Sequence, residues 1–435
     1  MTSTQTSDPA SAQPWSSRTL RVNNERVLLE RLRASGAASR AELARVTGIS
    51  KPTVSAALGN LERAGLVRET GEMTAASGRG RSAVLYEVDP TAGYVVGIDI
   101  GRSRIRVALA DLDGTIRGRR ELPTAIEEQH RLEADTATAE SIVATAAGLA
   151  REVVAEAGLA WDRVVHTVVG TPGVFDPATQ EVRYAGSLPG WGRAGVVERL
   201  RRELGTGLAV HNDANLAALG EYAFGAGRGC PLLVFLMVGT GVGAGIVVEG
   251  RVFDGAHGAA GEVGYLPFPP GGQDPDTAGP GRRVPRQSPD PAAAQAPHGT
   301  FSQRGMLDAA AGGSAVTALA AAAGATAARD PKAVFDAARA GDEAARAAVH
   351  AEAGRLAHAV ASIAAVLDPA LVVLGGGIGD NADLLLDPLY DALESLTPLR
   401  PPVVAAALGG DAVLLGAIAT ALATAREFVF EGRRL

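Results

Sequence analysis

Apolar positions near the start of the chain mark two helical stretches separated by a glycine. Ser39 and Glu42 form a capping box, in which each residue satisfies a backbone donor that the other leaves free, so a helix is predicted to begin there. Gly48 permits a sharp turn, and Ser50 is placed to cap a second helix with Pro52 in its first turn. The pattern predicts two helices joined by a tight turn.

The second helix has one apolar face and one polar face. Val54, Leu58 and Leu61 recur at helical spacing and form the predicted buried face. Small polar and basic residues at its start and on its outward side suit a major groove, and they are Ser50, Lys51, Thr53, Ser55, Ala56 and Asn60. We interpret residues 15–88 as a winged helix-turn-helix domain; an ordinary pair of packed helices is the alternative.

The flanking segments supply the rest of that domain. Arg18–Leu32 has helical apolar spacing and is predicted to close a three-helix core. Val67–Thr70 and Ala83–Val88 are predicted to pair as the wing. Arg79 and Arg81 lie between them in a glycine-containing loop, where they are candidates to enter the narrow minor groove of A/T-rich DNA. A solvated turn is the alternative.

From residue 93 onward, short buried strands alternate with alanine-rich helices. The predicted strands are 95–99, 105–109, 164–169, 208–210, 233–238 and 371–374, and the main helices are 134–157 and 412–428. This alternation predicts an α/β domain over residues 93–435. Residues from about 269 to 300 are rich in Pro and Gly without periodicity and are interpreted as an insert, and residues 1–14 as a disordered tail.

Charge and composition limit the classes of partner that the protein is expected to bind. The 435 residues carry a net charge of -7, yet residues 15–87 hold 12 Lys and Arg against 7 Asp and Glu, a local balance of +5 that leaves -12 elsewhere. A basic module on an acidic body favours contact between the small domain and nucleic acid. No apolar run is expected to cross a membrane, so cytoplasmic localisation is predicted. The single cysteine, Cys230, excludes an internal disulfide framework and a multi-cysteine zinc site.

Polar residues at strand ends carry the candidate chemistry. Asp99, followed by Gly101 and Ser103, could hold a hydrated metal and a nucleotide phosphate. Asp213 could accept a proton from a substrate hydroxyl while Asn212 fixes a neighbouring hydroxyl. A helix-capping role is the alternative for Asp213.

Glycine-rich turns follow two other strands. The alternate glycines of Gly239–Gly245 would let backbone amides approach an anion, although a tight hairpin of a sheet is the alternative. Gly375–Gly377 follows a buried strand at the place where an α/β fold binds nucleotide.

Together these motifs resemble the ROK family of repressors and sugar kinases. The resemblance implies an actin-like, hexokinase-like fold of two lobes, with sugar in the cleft and Asp213 as the catalytic base if kinase activity is retained. The implied sugar contacts are Asn212, Asp213, Glu262, Tyr265 and Asp308. The implied nucleotide contacts are Asp99, Gly101, Ser103, Thr240, Gly241, Gly375, Gly376 and Gly377. A winged helix-turn-helix ahead of this body resembles the repressor branch.

The chain departs from the family at its zinc site. A family Glu-x-Gly-His element, whose histidine binds zinc and sugar, is here Glu262 to Tyr265, with tyrosine in place of histidine. A family cysteine-rich segment survives only as Gly305 to Asp308. No zinc or other metal is therefore predicted. Arg102 stands in the family's Gly-Gly-Thr turn, where it could crowd a nucleotide or fold onto its phosphates.

Two functions follow from these features. The first is a DNA-binding regulator, a repressor of carbohydrate metabolism genes, whose body senses a sugar; the second is an ATP-dependent sugar kinase with its own DNA-binding domain, for which ATP and Mg²⁺ would be cofactors. A regulator that has lost ligand sensing is a third, disfavoured because Asn212, Asp213, Glu262 and Asp308 are all retained. The predicted partners are a pseudo-palindromic operator, a sugar effector and a second copy of the chain, as a homodimer or dimer of dimers.

Overall fold

The computed structural model describes residues 17–73, 83–124, 132–205, 207–268, 305–325 and 327–433. The chain forms two compact units. The first takes in Met1–Tyr94, Asp111–Thr115 and Ala425–Leu435, and the second takes in Val95–Ala110 and Ile116–Thr424. The C-terminal end of the chain is thus part of the unit that contains the helix-turn-helix.

Three helices form the core of the first unit, as the sequence predicted. They are α1 (Ser17–Ser35), α2 (Arg40–Thr47) and α3 (Lys51–Arg63). The Ser39 hydroxyl accepts a hydrogen bond from the Glu42 amide, and Gly48 ends α2 at a φ of 73°, a left-handed conformation that glycine adopts without steric cost. The Ser39 cap and the turn at Gly48 are therefore confirmed, and the Ser50 hydroxyl caps α3 by accepting from the Thr53 amide at 3.3 Å. Among the described residues the Glu42 carboxylate makes no return hydrogen bond to the Ser39 amide, so the reciprocal half of the predicted capping box is not formed.

A three-stranded sheet packs with these helices in the order β1-β3-β2. Its strands are β1 (Ala38–Ser39), β2 (Val67–Met73) and β3 (Ala83–Val88), all antiparallel. The β2 and β3 pair is the predicted wing hairpin. The third strand, β1, was not predicted, because two residues carry no periodic signal of their own.

The end of the last helix, α13 (Ala412–Gly432), completes the first unit. Arg26 forms ion pairs with Glu427 and, at 3.1 Å, with Glu431. The Arg433 guanidinium donates to the Ala64 carbonyl at 3.2 Å and to the Gly65 carbonyl at 2.9 Å, so it binds the C-terminal end of α3.

The second unit contains two five-stranded sheets. The first has the order β10-β7-β4-β5-β6. Its strands are β4 (Tyr94–Ile100), β5 (Arg104–Asp111), β6 (Ile116–Pro123), β7 (Val164–Thr171) and β10 (Leu208–Asn212). A separate antiparallel ribbon joins β8 (Val174–Asp176) to β9 (Glu181–Arg183). The helices of this half are α4 (Leu132–Glu156) and α5 (Val196–Leu204). Helix α6 (Asp213–Phe224) follows β10 and packs mainly against the second sheet.

The second sheet has the order β13-β12-β11-β14-β15. Its strands are β11 (Leu232–Val238), β12 (Val242–Val248), β13 (Arg251–Val252), β14 (Leu371–Gly375) and β15 (Val403–Ala405). The helices of this half are α7 (Met306–Ala311), α8 (Gly313–Ala323), α9 (Pro331–Arg339), α10 (Glu343–Leu367), α11 (Gly376–Gly379) and α12 (Ala382–Leu396). Apolar side chains of α8, α9, α10 and α12 pack with the sheet in one core.

One described helical stretch, Gly409–Gly432, meets the length and composition of a membrane span, with a mean hydropathy of 1.6. This corrects the expectation that no apolar run is long enough. Its apolarity reflects core packing, because 56% of the stretch's most apolar window is buried inside the protein. Ile418 and Ala421 are among its fully buried residues.

Candidate functional site

A cavity of about 480 Å³ in the second unit brings together most of the predicted sugar and nucleotide residues. This volume is within the range of small-molecule binding sites. The predicted residues that line it are Asn212, Asp213, Glu262, Tyr265, Asp308, Gly101, Thr240 and Gly241.

Asn212 and Asp213 are placed by the junction of β10 and α6. The Asn212 side chain caps α6 by accepting a hydrogen bond from the Asn215 amide at 3.0 Å, and it donates to the Gly173 carbonyl at 3.1 Å. Asp213 is the first residue of the helix, and its carboxylate accepts from the Ala214 amide at 2.8 Å. The cap is therefore Asn212, which leaves one Asp213 oxygen for a ligand.

Two carboxyl groups of the cavity hold their protons more tightly than usual. Burial raises the pKa of Asp213 to about 6, and the charge of Glu262 adds to the effect. Burial, followed by the charge of Asp308, raises the pKa of Glu262. Glu262 makes no hydrogen bond through its carboxylate to the protein residues that the structure describes. Both groups can accept a hydrogen bond from a sugar hydroxyl, and Asp213 is also suited to accepting its proton near neutral pH.

Close packing of the glycine turns holds Asp308 in the cavity. Its Oδ1 accepts from the Val242 amide at 2.8 Å. A Cβ on Gly241 would lie 2.3 Å from that oxygen, and a Cβ on Gly261, which has a φ of 94°, would lie 1.9 Å from the Ala244 carbonyl oxygen. Glycine is therefore required at Gly261 by its φ and by the neighbouring backbone, and a side chain at Gly241 would displace the Asp308 carboxylate.

An aromatic pair at the cavity rim includes a residue that the sequence did not single out. Tyr184 and Tyr265 pack edge to face, with ring centroids 5.8 Å apart. They are 53% and 49% exposed, and neither hydroxyl has a hydrogen-bond partner among the described residues. Tyr184 has a φ of 59°, which is unusual for a bulky residue and is common at functional sites. The only local signal was an aromatic residue two positions before Gly186.

Only some of the residues predicted to bind nucleotide line the cavity. Gly101, Thr240 and Gly241 line the cavity, whereas Asp99, Ser103, Gly375, Gly376 and Gly377 do not. Gly375 ends β14, and Gly376 and Gly377 begin α11. The backbone of Gly239–Gly245 forms the β11–β12 hairpin, so the hairpin alternative describes its fold even though part of it lines the cavity.

Asp99 forms an ion pair with an arginine. The Arg106 guanidinium donates to its carboxylate at 2.8 Å, and Asp99 is only 4% exposed. Burial nevertheless raises the pKa of Asp99 to about 6, because desolvation outweighs the Arg106 charge. This ion pair competes with any metal that would use the same carboxylate.

The residues present do not fit a zinc ion. No group of three or more His, Cys, Asp or Glu side chains suited to holding a metal occurs in the part of the chain that the structure describes. Tyr265 supplies a phenol where the family element has an imidazole, and the sequence contains one cysteine.

Four of the seven predicted DNA-contacting residues lie at the start of α3. Ser50, Lys51 and Ser55 are exposed, and Thr53 is half-buried. Asn60 was expected to point outward, but its side-chain amide donates to the buried Glu25 carboxylate at 2.8 Å. The reason is its position beside the apolar face that packs on α1. Arg79 and Arg81 lie outside the described residues.

Comparison with known proteins identifies both parts of the chain. Residues 95–424 match the ROK family, and residues 26–79 match the MarR family. The bifunctional enzyme NanE/NanK of Brucella melitensis is 39% identical over 50% of this chain and 36% of its own length. Glucokinase of Thermotoga maritima is 28% identical over 74% of this chain and 95% of its own. The xylose repressor of Bacillus subtilis is 26% identical over 56% of this chain and 60% of its own.

Solved structures agree with this assignment. A ROK family glucokinase from Streptomyces griseus, in complex with glucose and AMPPNP, has a TM-score of 0.58 and 27% identity, over 76% of this chain and 99% of its own. A ROK family transcriptional regulator described as a homolog of E. coli MLC protein covers 95% of this chain and 98% of its own, with a TM-score of 0.68 and 20% identity. The latter likeness shows the fold over nearly the whole chain. The chain belongs to the ROK family and carries a MarR-type winged helix domain ahead of its ROK domain.

Proposed function

We propose that this protein is a sugar-responsive transcriptional regulator, a repressor of carbohydrate metabolism genes, that binds DNA through α3. The observation that carries the proposal is the pairing of a MarR-type winged helix domain with a ROK domain. The exposed Lys51 and Ser55 at the start of α3 suit contacts to base edges and phosphates. A xylose repressor among the relatives supports the same reading.

The effector in this proposal is a sugar held in the cavity of the second unit. Asn212, Asp213, Glu262 and Asp308 offer oxygen and amide groups to adjacent hydroxyls. Such contacts discriminate well, because a wrong ligand leaves buried polar groups unpaired. Tyr265 would then contact the ligand without needing a metal to position it.

A second function, ATP-dependent sugar kinase, is favoured by one observation. Asp213 lies in the cavity with a carboxyl pKa near 6, as a catalytic base requires, and glucokinases are among the relatives. The ion pair between Asp99 and Arg106 argues against kinase activity, because a phosphate-bound Mg²⁺ needs carboxylate oxygens as ligands. We infer that the protein is not an enzyme. ATP consumption measured over a panel of sugars separates the two functions, and turnover lost in Asp213→Ala would establish the kinase.

The form of the DNA site and the oligomeric state are inferred from the number of base pairs that one recognition helix can read. A single helix reads few base pairs, so operator-level specificity requires a two-fold dimer or a dimer of dimers on a pseudo-palindromic site. We infer that the protein acts in the cytoplasm, where such an operator is accessible. Selection of bound duplexes from a random DNA library tests the proposal, and recovery of no enriched sequence would overturn it.

A further inference from the structure

Arg102 is a cation at the cavity that has no anionic partner among the residues that the structure describes. It lines the cavity in the turn between β4 and β5. Its one hydrogen bond to a described residue runs from Nη1 to the Ser187 carbonyl, at 3.3 Å. No carboxylate among the described residues lies within ion-pair distance of it. The guanidinium therefore keeps most of its five donors available to a ligand.

The backbone beneath Arg102 is fixed. The Gly101 amide donates to the Arg104 carbonyl at 3.0 Å, and the Thr124 hydroxyl donates to the Gly101 carbonyl at 2.7 Å. The turn thus holds the base of the side chain at the cavity, and the guanidinium keeps donors beyond the one that binds the Ser187 carbonyl. This arrangement suits a ligand group that arrives from solution.

Side chains of both charge signs line the cavity. Among the described lining residues, Arg102 is the only Lys or Arg, whereas Asp213, Glu262 and Asp308 supply carboxylates. The nearby Arg106 does not line the cavity and is paired with Asp99 at 2.8 Å and Glu121 at 3.5 Å. A neutral sugar would use the carboxylates and leave Arg102 without a charged partner. A sugar with an anionic substituent would use both.

We propose that the effector is a sugar bearing an anionic group, either a phosphate or a carboxylate, and that Arg102 binds this group. The inference rests on the proposed sugar-sensing function and adds the chemical class of the sugar. Arginine binds phosphate and carboxylate oxygens through two parallel N–H donors, which gives such a contact direction as well as strength.

The experiment compares matched sugars by calorimetry on the full chain. The probes are glucose, glucose 6-phosphate and glucuronate, the same three forms of mannose and galactose, inorganic phosphate, and AMPPNP as a nucleotide. For at least one of these sugars, we expect the phosphate or the carboxylate derivative to bind more tightly than the neutral sugar. Comparison of the phosphate and carboxylate arms then identifies the anionic group.

Two variants test the role of Arg102. Arg102→Ala should weaken binding of the anionic sugar about ten- to a hundredfold, the usual loss for a hydrogen bond to a charged group, and Arg102→Lys should retain part of it. The control is Arg104→Ala, since Arg104 is an exposed neighbour that pairs with Glu121 and does not line the cavity. It should bind like wild type.

Several results would overturn the inference. Equal binding of neutral and acid sugars, or an anion preference that survives in Arg102→Ala, would remove Arg102 from recognition while leaving sugar sensing intact. Binding of AMPPNP that depends on Arg102 would assign the residue to a nucleotide instead. If no sugar in either form binds, the proposed sensing function fails and this inference fails with it.

Discussion

Glu352 is a carboxyl group buried in the core of the second unit. It is 0% exposed on α10, and neither carboxylate oxygen has a hydrogen-bond partner among the residues that the structure describes. Burial raises its pKa to about 8, and the charge of Arg355 offsets only part of this effect. The side chain is therefore mostly neutral in the folded protein at pH 7.

Glu352 should make the protein less stable as pH rises. The unfolded chain loses this proton near the ordinary pKa of 4.5 and the folded chain near 8, so the free energy of unfolding falls between these values. The decline contributed by this residue is at most about 1.4 kcal/mol per pH unit. Glu352→Gln should flatten the pH dependence measured by urea unfolding. Glu343→Gln, an exposed change on the same helix, serves as the control, and an unchanged slope in Glu352→Gln would contradict the assignment.

Single residues differ in how far their roles could be predicted from sequence. Asp213 was found because its position after a short strand and before a helix is a local feature. The ion pair between Asp99 and Arg106, and the pairing of Tyr184 with Tyr265, depend on where strands and loops meet in space. No local pattern encodes those contacts.

At the scale of elements, α3 is the helix that we propose recognises DNA. Lys51→Ala should weaken binding to a selected operator by about 1 to 3 kcal/mol per lost base-edge contact, or reduce the salt dependence if it contacts a phosphate. Lys332→Ala is a matched control, because Lys332 is the chain's other lysine and lies on α9. Equal binding by wild type and Lys51→Ala, at low and at high salt, would contradict the assignment.

The C-terminal end of α13 supports the helix-turn-helix unit. Arg433 donates to backbone carbonyls at the end of α3, and the Arg26 guanidinium lies 5.4 Å from the centre of the Phe430 ring. Arg433→Ala should lower the stability of this unit by about 1 kcal/mol, measured by thermal unfolding and by faster amide exchange at the end of α3. Arg400→Ala, which removes an exposed ion pair with Glu394, should have almost no effect. If the two variants unfold alike, the end of α13 does not stabilise the unit.

Elements were predicted well where capping residues and periodicity are local. The helices that begin after Ser39 and Ser50 were found at their observed starts because Ser and Gly fix those positions. The C-terminal residues were assigned to the second domain, since nothing in an apolar helix indicates which unit it completes. The short strands β8, β9, β13 and β15 were missed for the same reason as β1.

At the scale of the whole molecule, we expect the protein to self-associate. A two-fold dimer doubles the base pairs that are read, so the protein should sediment as a dimer or larger species at micromolar concentration. Analytical ultracentrifugation with and without operator duplex measures this. A monomer under both conditions would reject the dimer.

We expect a sugar in the cavity to change the affinity of the protein for DNA without the help of a metal. The most direct measurement is the fluorescence anisotropy of a labelled operator, titrated with wild type and Asp213→Ala in the presence and absence of the sugar that binds most tightly. By linkage, we expect the sugar to weaken wild-type binding by about 1 to 3 kcal/mol and EDTA to leave that response unchanged. Asp213→Ala should bind the sugar-free operator normally and lose the response. A response that EDTA abolishes, or that Asp213→Ala retains, would contradict the account.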